Sequence, residues 1–468
     1  MAAGRRDAGE EWTGAAFARV RPHPLLSRGR SCASQAAVRG AADGPKANGA
    51  TDMPQKTIFL VVFLHLLGFT MGGPIVPALR EHFAIEVAQT GLITSAFPLG
   101  MFGAVFVFPV LSDRIGRKPV LIISYLGVGV GFILQALALR LSLPFGAFLA
   151  LRVASGAFAG ASTVVKAYIA DIASPETLPR VMAYREAAGT LAFIVGPSIS
   201  GLLFACGGLQ SVVFASGLMS LLAAVLVLAR LRPTPGPALE AASGSPSAAH
   251  AAAAPSSAEA PSSEGKLTTS TSRPSASSQV GPWGAAVTMM GVSFAYNFGQ
   301  SFFDSFFPLL AAERFGWTPA ILGPVLTGLA CLVFVTSALA YPLLVRAFGT
   351  VTVAILGLLF LSCGLALAGC STTVAAVGAA LCLYGIGVPI FTPSVPTILA
   401  SCVPRPQRGL VLGVDSAVNT VARISAPVVM GVVYQLGPAM AFTRAALVVL
   451  VGMGLLSFQQ GVLRRFLR

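Results

Sequence analysis

Twelve apolar stretches, each close to the length needed to cross a bilayer, fill most of the chain from Ile58 to Val462. Six lie between about Ile58 and Leu231 and six between about Trp283 and Val462. A membrane-spanning helix needs roughly 20 mainly apolar residues, because within hydrocarbon every backbone polar group must be satisfied inside the segment. The runs lack the alternation of strands and are too long for barrel strands, so they predict helices. Composition agrees: 55% of the 468 residues are hydrophobic and 10% are charged, with a mean hydropathy of +0.79. Soluble domains carry about a quarter charged residues. The expected fold is all-α, integral to the membrane and multi-pass, in the plasma membrane or an organelle membrane.

The formal net charge of +14 reads as topology. With the N-terminus inside, 24 of the 31 Lys and Arg fall on the cytoplasmic side, including Arg114, Arg117, Lys118, Arg180, Arg346, Arg405 and Arg408. Arg80, Arg140, Arg314 and Arg444 fall on or near the other side, and Arg152, Lys166 and Arg423 fall within apolar stretches. This asymmetry follows the positive-inside rule and places both termini in the cytoplasm. Basic residues distributed this way predict contact with lipid headgroups, not with nucleic acid.

Soluble catalysis finds no footing. There is no Gly-rich phosphate loop, nucleophile elbow or His/Glu metal pair, and the four histidines are scattered at His23, His65, His82 and His250. The seven cysteines show no CxxC or metal spacing, and most lie in or beside apolar stretches, where Cys acts as a small hydrophobe. No enzyme, metal site or cofactor is expected. Without a nucleotide site, any transport must draw on an ion gradient or be facilitated.

Residues 1–55 form an Ala/Gly/Arg-rich tail without a signal-peptide core. A transit peptide and a plain cytoplasmic tail both fit; Asp7, Glu10 and Glu11 argue against the former. Residues 232–281, rich in Ala, Ser and Pro, predict a flexible cytoplasmic linker. It separates two six-helix bundles, residues 56–231 and 282–462, and residues 463–468 form a basic tail.

The bundles are a duplication. "GTLAFIVGPSISG" (Gly189 to Gly201) aligns with "NTVARISAPVVMG" (Asn419 to Gly431), sharing Thr, Pro and the final Gly at an offset of 230. At an offset of 232, "REHF" (Arg80 to Phe83) meets "AERF" (Ala312 to Phe315), Gly91 meets Gly323, and His65 meets Asn297. Parallel repeats of this kind suit alternating access about a midplane site.

Between stretches 2 and 3 stands "LSDRIGRKP" (Leu111 to Pro119). It resembles the loop motif of the major facilitator superfamily, roughly Gly-x-Leu-(Ser/Ala)-Asp-Arg-x-Gly-Arg-(Lys/Arg). Leu111, Ser112, Asp113, Arg114, Gly116, Arg117 and Lys118 match, and Pro109 replaces the leading Gly. The resemblance implies twelve transmembrane helices in two pseudo-symmetric bundles, and a gate in which Asp113 latches onto stretch 11, with Arg408 as a cationic contributor. The second half keeps only "VRAFG" (Val345 to Gly349), so the latch is asymmetric.

Other motifs point to the drug:proton antiporter-like and tetracycline-resistance-type members. "RVASGAFAG" in stretch 4 resembles their Arg-x-x-x-Gly motif, with Arg152, Gly156 and Gly160 on one face; there the Arg is tied to proton movement, whereas a structural Arg is the alternative. "GTLAFIVGPSISG", with Gly189, Gly196, Pro197 and Gly201, resembles the antiporter motif, with Ser200 where a Gly is usual. Small residues allow close helix approach and Pro bends the helix, so a purely structural role also fits. "HLLGFTMGGPIVPAL" resembles the first helix of these exporters, with His65 where many carry Asp; proton relay and plain packing both stay open.

Intramembrane charge is costly and marks function by default. Asp304 in stretch 7 and Arg423 in stretch 11 are therefore candidates for proton coupling, with His65 and Arg152; Lys166 is a further possible partner for Asp304. Tyr296, Asn297, Gln300 and Phe303 make an aromatic, amphipathic wall for a small molecule, or a helix-packing face. The expected function is secondary transport of a small organic solute, as proton-coupled antiport by a monomer. A uniporter or symporter, or a non-transporting receptor or scaffold of the same fold, is the alternative.

Overall fold

A computed structural model describes residues 52–174, 176–233, 282–404, 407–461 and 463. Residues 234–281 of the linker, Arg405 and residues 464–468 of the C-terminal tail lie outside the described residues, as does the N-terminal tail up to residue 51. The first half of the chain forms α1 (Asp52–Thr70), α2 (Val76–Phe83), α3 (Val87–Ile115), α4 (Arg117–Arg140), α5 (Phe145–Gly156), α6 (Ala161–Ile172) and α7 (Leu178–Arg230). The second half forms α8 (Pro282–Phe315), α9 (Pro319–Val335), a π turn (Thr336–Ala340), α10 (Tyr341–Phe348), α11 (Thr350–Cys370), α12 (Val374–Phe391), α13 (Ser394–Cys402), α14 (Arg408–Gln435) and α15 (Pro438–Phe458).

Among the described residues, nine helical segments are long and apolar enough to cross a membrane. One of them is α7, 53 residues long, which is two helices joined where Gly208 takes a φ of +70°. The apolar part of α1, Lys56–Thr70, is too short to count, and α8 is diluted by Asn297, Gln300 and Asp304. These three features account for the difference from the twelve stretches expected.

Breaks in the helices fall where the chain chemistry demands them. Stretch 4 divides into α5 and α6 at Ala157–Gly160, and its counterpart, stretch 10, divides into α12 and α13 at Thr392–Pro393. Gly116 (φ +94°) and Gly349 (φ +79°) both turn the chain between consecutive helices. An L side chain is strained in that conformation, which explains why the degenerate second copy of the charged loop still keeps its glycine.

The buried core forms three clusters among the described residues. One cluster draws on residues 285–463, around Phe302, Phe306, Phe307 and Phe442. Two others draw on residues 58–231, around Tyr125, Tyr168, Phe132 and Phe148. The halves meet mainly along two helix pairs, α3 with α14 and α7 with α9. Leu202, Leu228, Val287, Leu339 and Leu343 are exposed at the surface, the arrangement expected when the surrounding solvent is hydrocarbon.

Candidate functional site: a cavity between the halves

Helices alternate in direction, so the loops gather at two ends. One end carries Gly208 with the turns near residues 84, 316 and 437; the other carries Gly116, Gly349 and the α6–α7 and α13–α14 connections.

At the Gly208 end the halves are pressed together. A Cβ on Gly91 would overlap Pro427 O, and one on Gly323 would overlap Pro197 O. A Cβ on Gly431 would come within 2.8 Å of Ala88 O, and one on Gly201 within 2.8 Å of Pro319 O. The glycines that align between the repeats are thus the ones that allow backbone contact between the halves. Polar links add to them. Arg80 Nη1 donates to Glu313 Oε1 at 2.6 Å, and Gln435 Nε2 donates to Glu86 Oε2 at 3.2 Å. Deeper in, Thr327 Oγ1 donates to Ile194 O (2.7 Å), and Ser95 Oγ donates to Ile424 O (2.8 Å).

The Asp113 end is different. Arg117, 6% exposed, donates through Nη1 to Asp113 and to Ser112 Oγ, and through Nε to Asp171 Oδ2 at 3.0 Å. Lys118 Nζ donates to Leu228 O at 2.8 Å. Every one of these partners belongs to the first half. Arg114 and Arg408 are exposed, and Gly409 and Gly413 on α14 face open space. A groove of about 490 Å³ separates Phe102 and Phe106 of α3 from Leu410, Val414 and Val421 of α14. The structure therefore does not bring Asp113 to Arg408: the halves part at this end.

Between the two ends lies a cavity of about 580 Å³ walled by both halves. Of the sequence candidates, Arg152, Gly189, Pro197, Gln300, Phe303, Asp304 and Arg423 line it. Arg152 Nε donates to Ile93 O at 2.6 Å and its Nη1 to Gln135 Oε1 at 3.4 Å. Asp304 Oδ1 accepts from Tyr384 OH at 3.1 Å, and the Tyr384 ring stacks on Phe303 at 3.8 Å. Asp304 and Arg423 share the cavity without forming an ion pair within 4.0 Å.

The remaining candidates sit elsewhere. His65 lies inside the first half, its Nδ1 at 3.4 Å from Ser220 Oγ and its ring at 4.8 Å from that of Tyr125. Lys166 is exposed on α6 and does not line the cavity. Tyr296 donates or accepts at 2.8 Å with Thr392 Oγ1 and packs on Phe391; Asn297 Nδ2 donates to Ser293 O at 2.9 Å. Gly196 lies against Thr70 and Gly201 against α9, where they serve helix packing.

Several residues emerge only in three dimensions. Arg185 and Glu186, not singled out in the sequence, line the cavity, paired with one another; Arg185 Nη2 donates to Ser162 Oγ at 2.8 Å. Tyr384 and Thr94 also line it. Asp415, 7% exposed on α14, accepts from Asn419 Nδ2 at 2.9 Å through Oδ2, while its Oδ1 is buried without a partner.

Apolar helices around a cavity shared by two like halves, sealed at one end and parted at the other, define a multi-pass membrane transporter. The chain belongs to the major facilitator superfamily, whose family model matches residues 58–340 and 289–465. It is 24% identical over 409 residues to "Multidrug resistance protein 2" of Bacillus subtilis (strain 168), a match covering 86% of this chain and 94% of that protein. It is 26% identical over 420 residues to "Major facilitator superfamily domain-containing protein 10" of Mus musculus, covering 82% and 88%. Among solved structures, the human organic anion transporter MFSD10 superposes with a TM-score of 0.60 at 23% identity, covering 86% of this chain and 98% of that one.

Proposed function

We propose that the protein exports a small organic solute in exchange for protons, acting as a monomer by alternating access. The observation that carries this reading is the cavity: both halves wall it, the Gly208 end seals it, and its wall holds a carboxylate, Asp304, where a proton can be exchanged. With the positive-inside orientation and both termini cytoplasmic, the parted end faces the cytoplasm and loads solute there. Asp304 carries the proton, Tyr384 orients it, and Arg423 supplies the counter-charge across the cavity. Arg152 braces α3 through Ile93. His65 fills a packing position inside the first half. The names of the bacterial relatives support export. Asp113, Arg117 and Asp171 hold the parted end of the first half in shape, and Arg408 meets Asp113 only when the halves rock together there.

Proteoliposomes with an imposed pH gradient test this. Solute flux should follow the gradient, and Asp304→Asn should abolish gradient-driven accumulation. Flux indifferent to pH would sink proton coupling, and absence of flux with a broad solute panel would favour a non-transporting receptor. A second reading, movement of proton and solute in the same direction, is favoured by one observation: bases outnumber acids around the cavity. The sign of the driving gradient separates the two.

A further inference from the structure

We infer that the cavity takes a small aromatic anion, an organic carboxylate or sulfonate, held between Arg152 of the first half and Arg423 of the second. This deepens the transport reading and rests on it. Three guanidinium groups, Arg152, Arg185 and Arg423, face two carboxylates, Glu186 and Asp304. Arg185 and Glu186 pair with one another, so their charges cancel. Asp304 accepts from Tyr384 and is not within 4.0 Å of Arg423. Arg152 spends Nε and Nη1 on neutral acceptors, Ile93 O and Gln135 Oε1, so its charge has no anionic partner among the described residues. Even were Asp304 to pair with Arg423, one cation would remain uncompensated. A cation held at membrane depth without a counter-ion is costly, and a ligand that brings the missing negative charge removes that cost.

One short strap of α3 relates the two arginines. Ile93 O holds Arg152 Nε, and two residues on, Ser95 Oγ holds Ile424 O, next to Arg423. Thr94, between them, lines the cavity. An anion there would receive charge-assisted hydrogen bonds from both halves at once. Around this polar point the wall is aromatic: Phe69, Phe97, Phe193, Phe303 and Phe307. A volume of about 580 Å³ lined this way suits a ring system better than a bare inorganic ion. A proton on Asp304 removes the one carboxylate that competes for Arg423, so anion and proton would favour each other's binding, which belongs with the second reading, movement of both in the same direction.

Three probes that share one aromatic body decide the matter: 2-naphthoate, 2-naphthamide and 2-naphthylmethylammonium, titrated into the full-length protein and read by thermal stabilisation and calorimetry. Naphthoate should bind about tenfold to a hundredfold more tightly than the other two. Arg423→Gln should remove that preference and leave naphthamide unchanged, with Arg423→Lys recovering part of it. Arg152→Gln should act likewise, but it also loses the Ile93 brace, so Arg423 carries the test. Equal or tighter binding of the amide or the ammonium overturns the inference, as does no binding by any probe. Inorganic sulfate stabilising as well as naphthoate overturns the aromatic assignment. Naphthoate binding without flux in proteoliposomes leaves the anion site standing and removes the transport reading; flux of the ammonium alone does the reverse.

Discussion

At the Gly208 end the halves touch backbone to backbone, Gly91 against Pro427 and Gly323 against Pro197, in two contacts related by the repeat. At the Asp113 end the charged residues work inside one half only: Arg117 draws in Asp113, Ser112 and Asp171, and α14 stands away across a groove. The first contact is steric and present in both repeats. The second is electrostatic and belongs to the first repeat alone. Close packing has two discrete arrangements, met or parted, whereas ion pairs can be rebuilt with new partners as helices move. One end is thus fitted to be a hinge and seal, the other to be an adjustable gate.

The strongest way to break that contrast is to fill a glycine contact. Gly323→Leu places a side chain against Pro197 O and should cost the sealed state about 1–3 kcal/mol, roughly a tenfold to hundredfold shift in population. A cysteine at Ser198, next to Thr327 in the seal, should then react with maleimide correspondingly faster. Unchanged labelling would remove the seal from the account.

A smaller effect is expected at the other end. Asp113→Asn takes one of two carboxylates from the buried Arg117, and should lower stability by about 1–3 kcal/mol, seen as a drop in melting temperature. Arg408→Gln should stay within about 0.5 kcal/mol, because this exposed side chain makes no link to Asp113 here. Equal losses from the two would mean that the latch already joins the halves. Smallest of all is Glu313→Gln, which weakens a partly exposed pair with Arg80; about 1 kcal/mol or less is expected, fading as salt rises.

How far these regions could be read beforehand follows from what each depends on. The charged turn was legible as a motif, because it rests on residue identity, Asp113 and Arg117 flanking a positive-φ glycine. The matched glycines were legible as a repeat, but their targets are backbone carbonyls of the other half, about which a sequence is silent. The α8 candidates failed selectively. Gln300, Phe303, Asp304 and Phe307 recur at helical spacing and line the cavity. Tyr296 and Asn297 continue the same stripe one turn earlier, yet Thr392, Phe391 and Ser293 cover them. Periodicity gives the face of a helix but not the height at which neighbours close over it. Arg185 and Glu186 were missed for a related reason: a charged residue near a helix start reads as loop when the membrane boundary is set by hydropathy. Depth in the sequence made Asp304 and Arg423 candidates without bringing them together, and the structure gives the shared cavity without the bond.

Closing one end of the protein should open the other. Two spin-label pairs in the reconstituted protein measure this directly: Val110 with Leu410 across the Asp113 end, and Glu81 with Leu436 across the Gly208 end, all exposed positions. Distances are compared between the parent chain and Gly323→Leu. The first distance should shorten as the second lengthens, each shifting population to the same extent. Two distances that stay fixed, or that lengthen together, would contradict it.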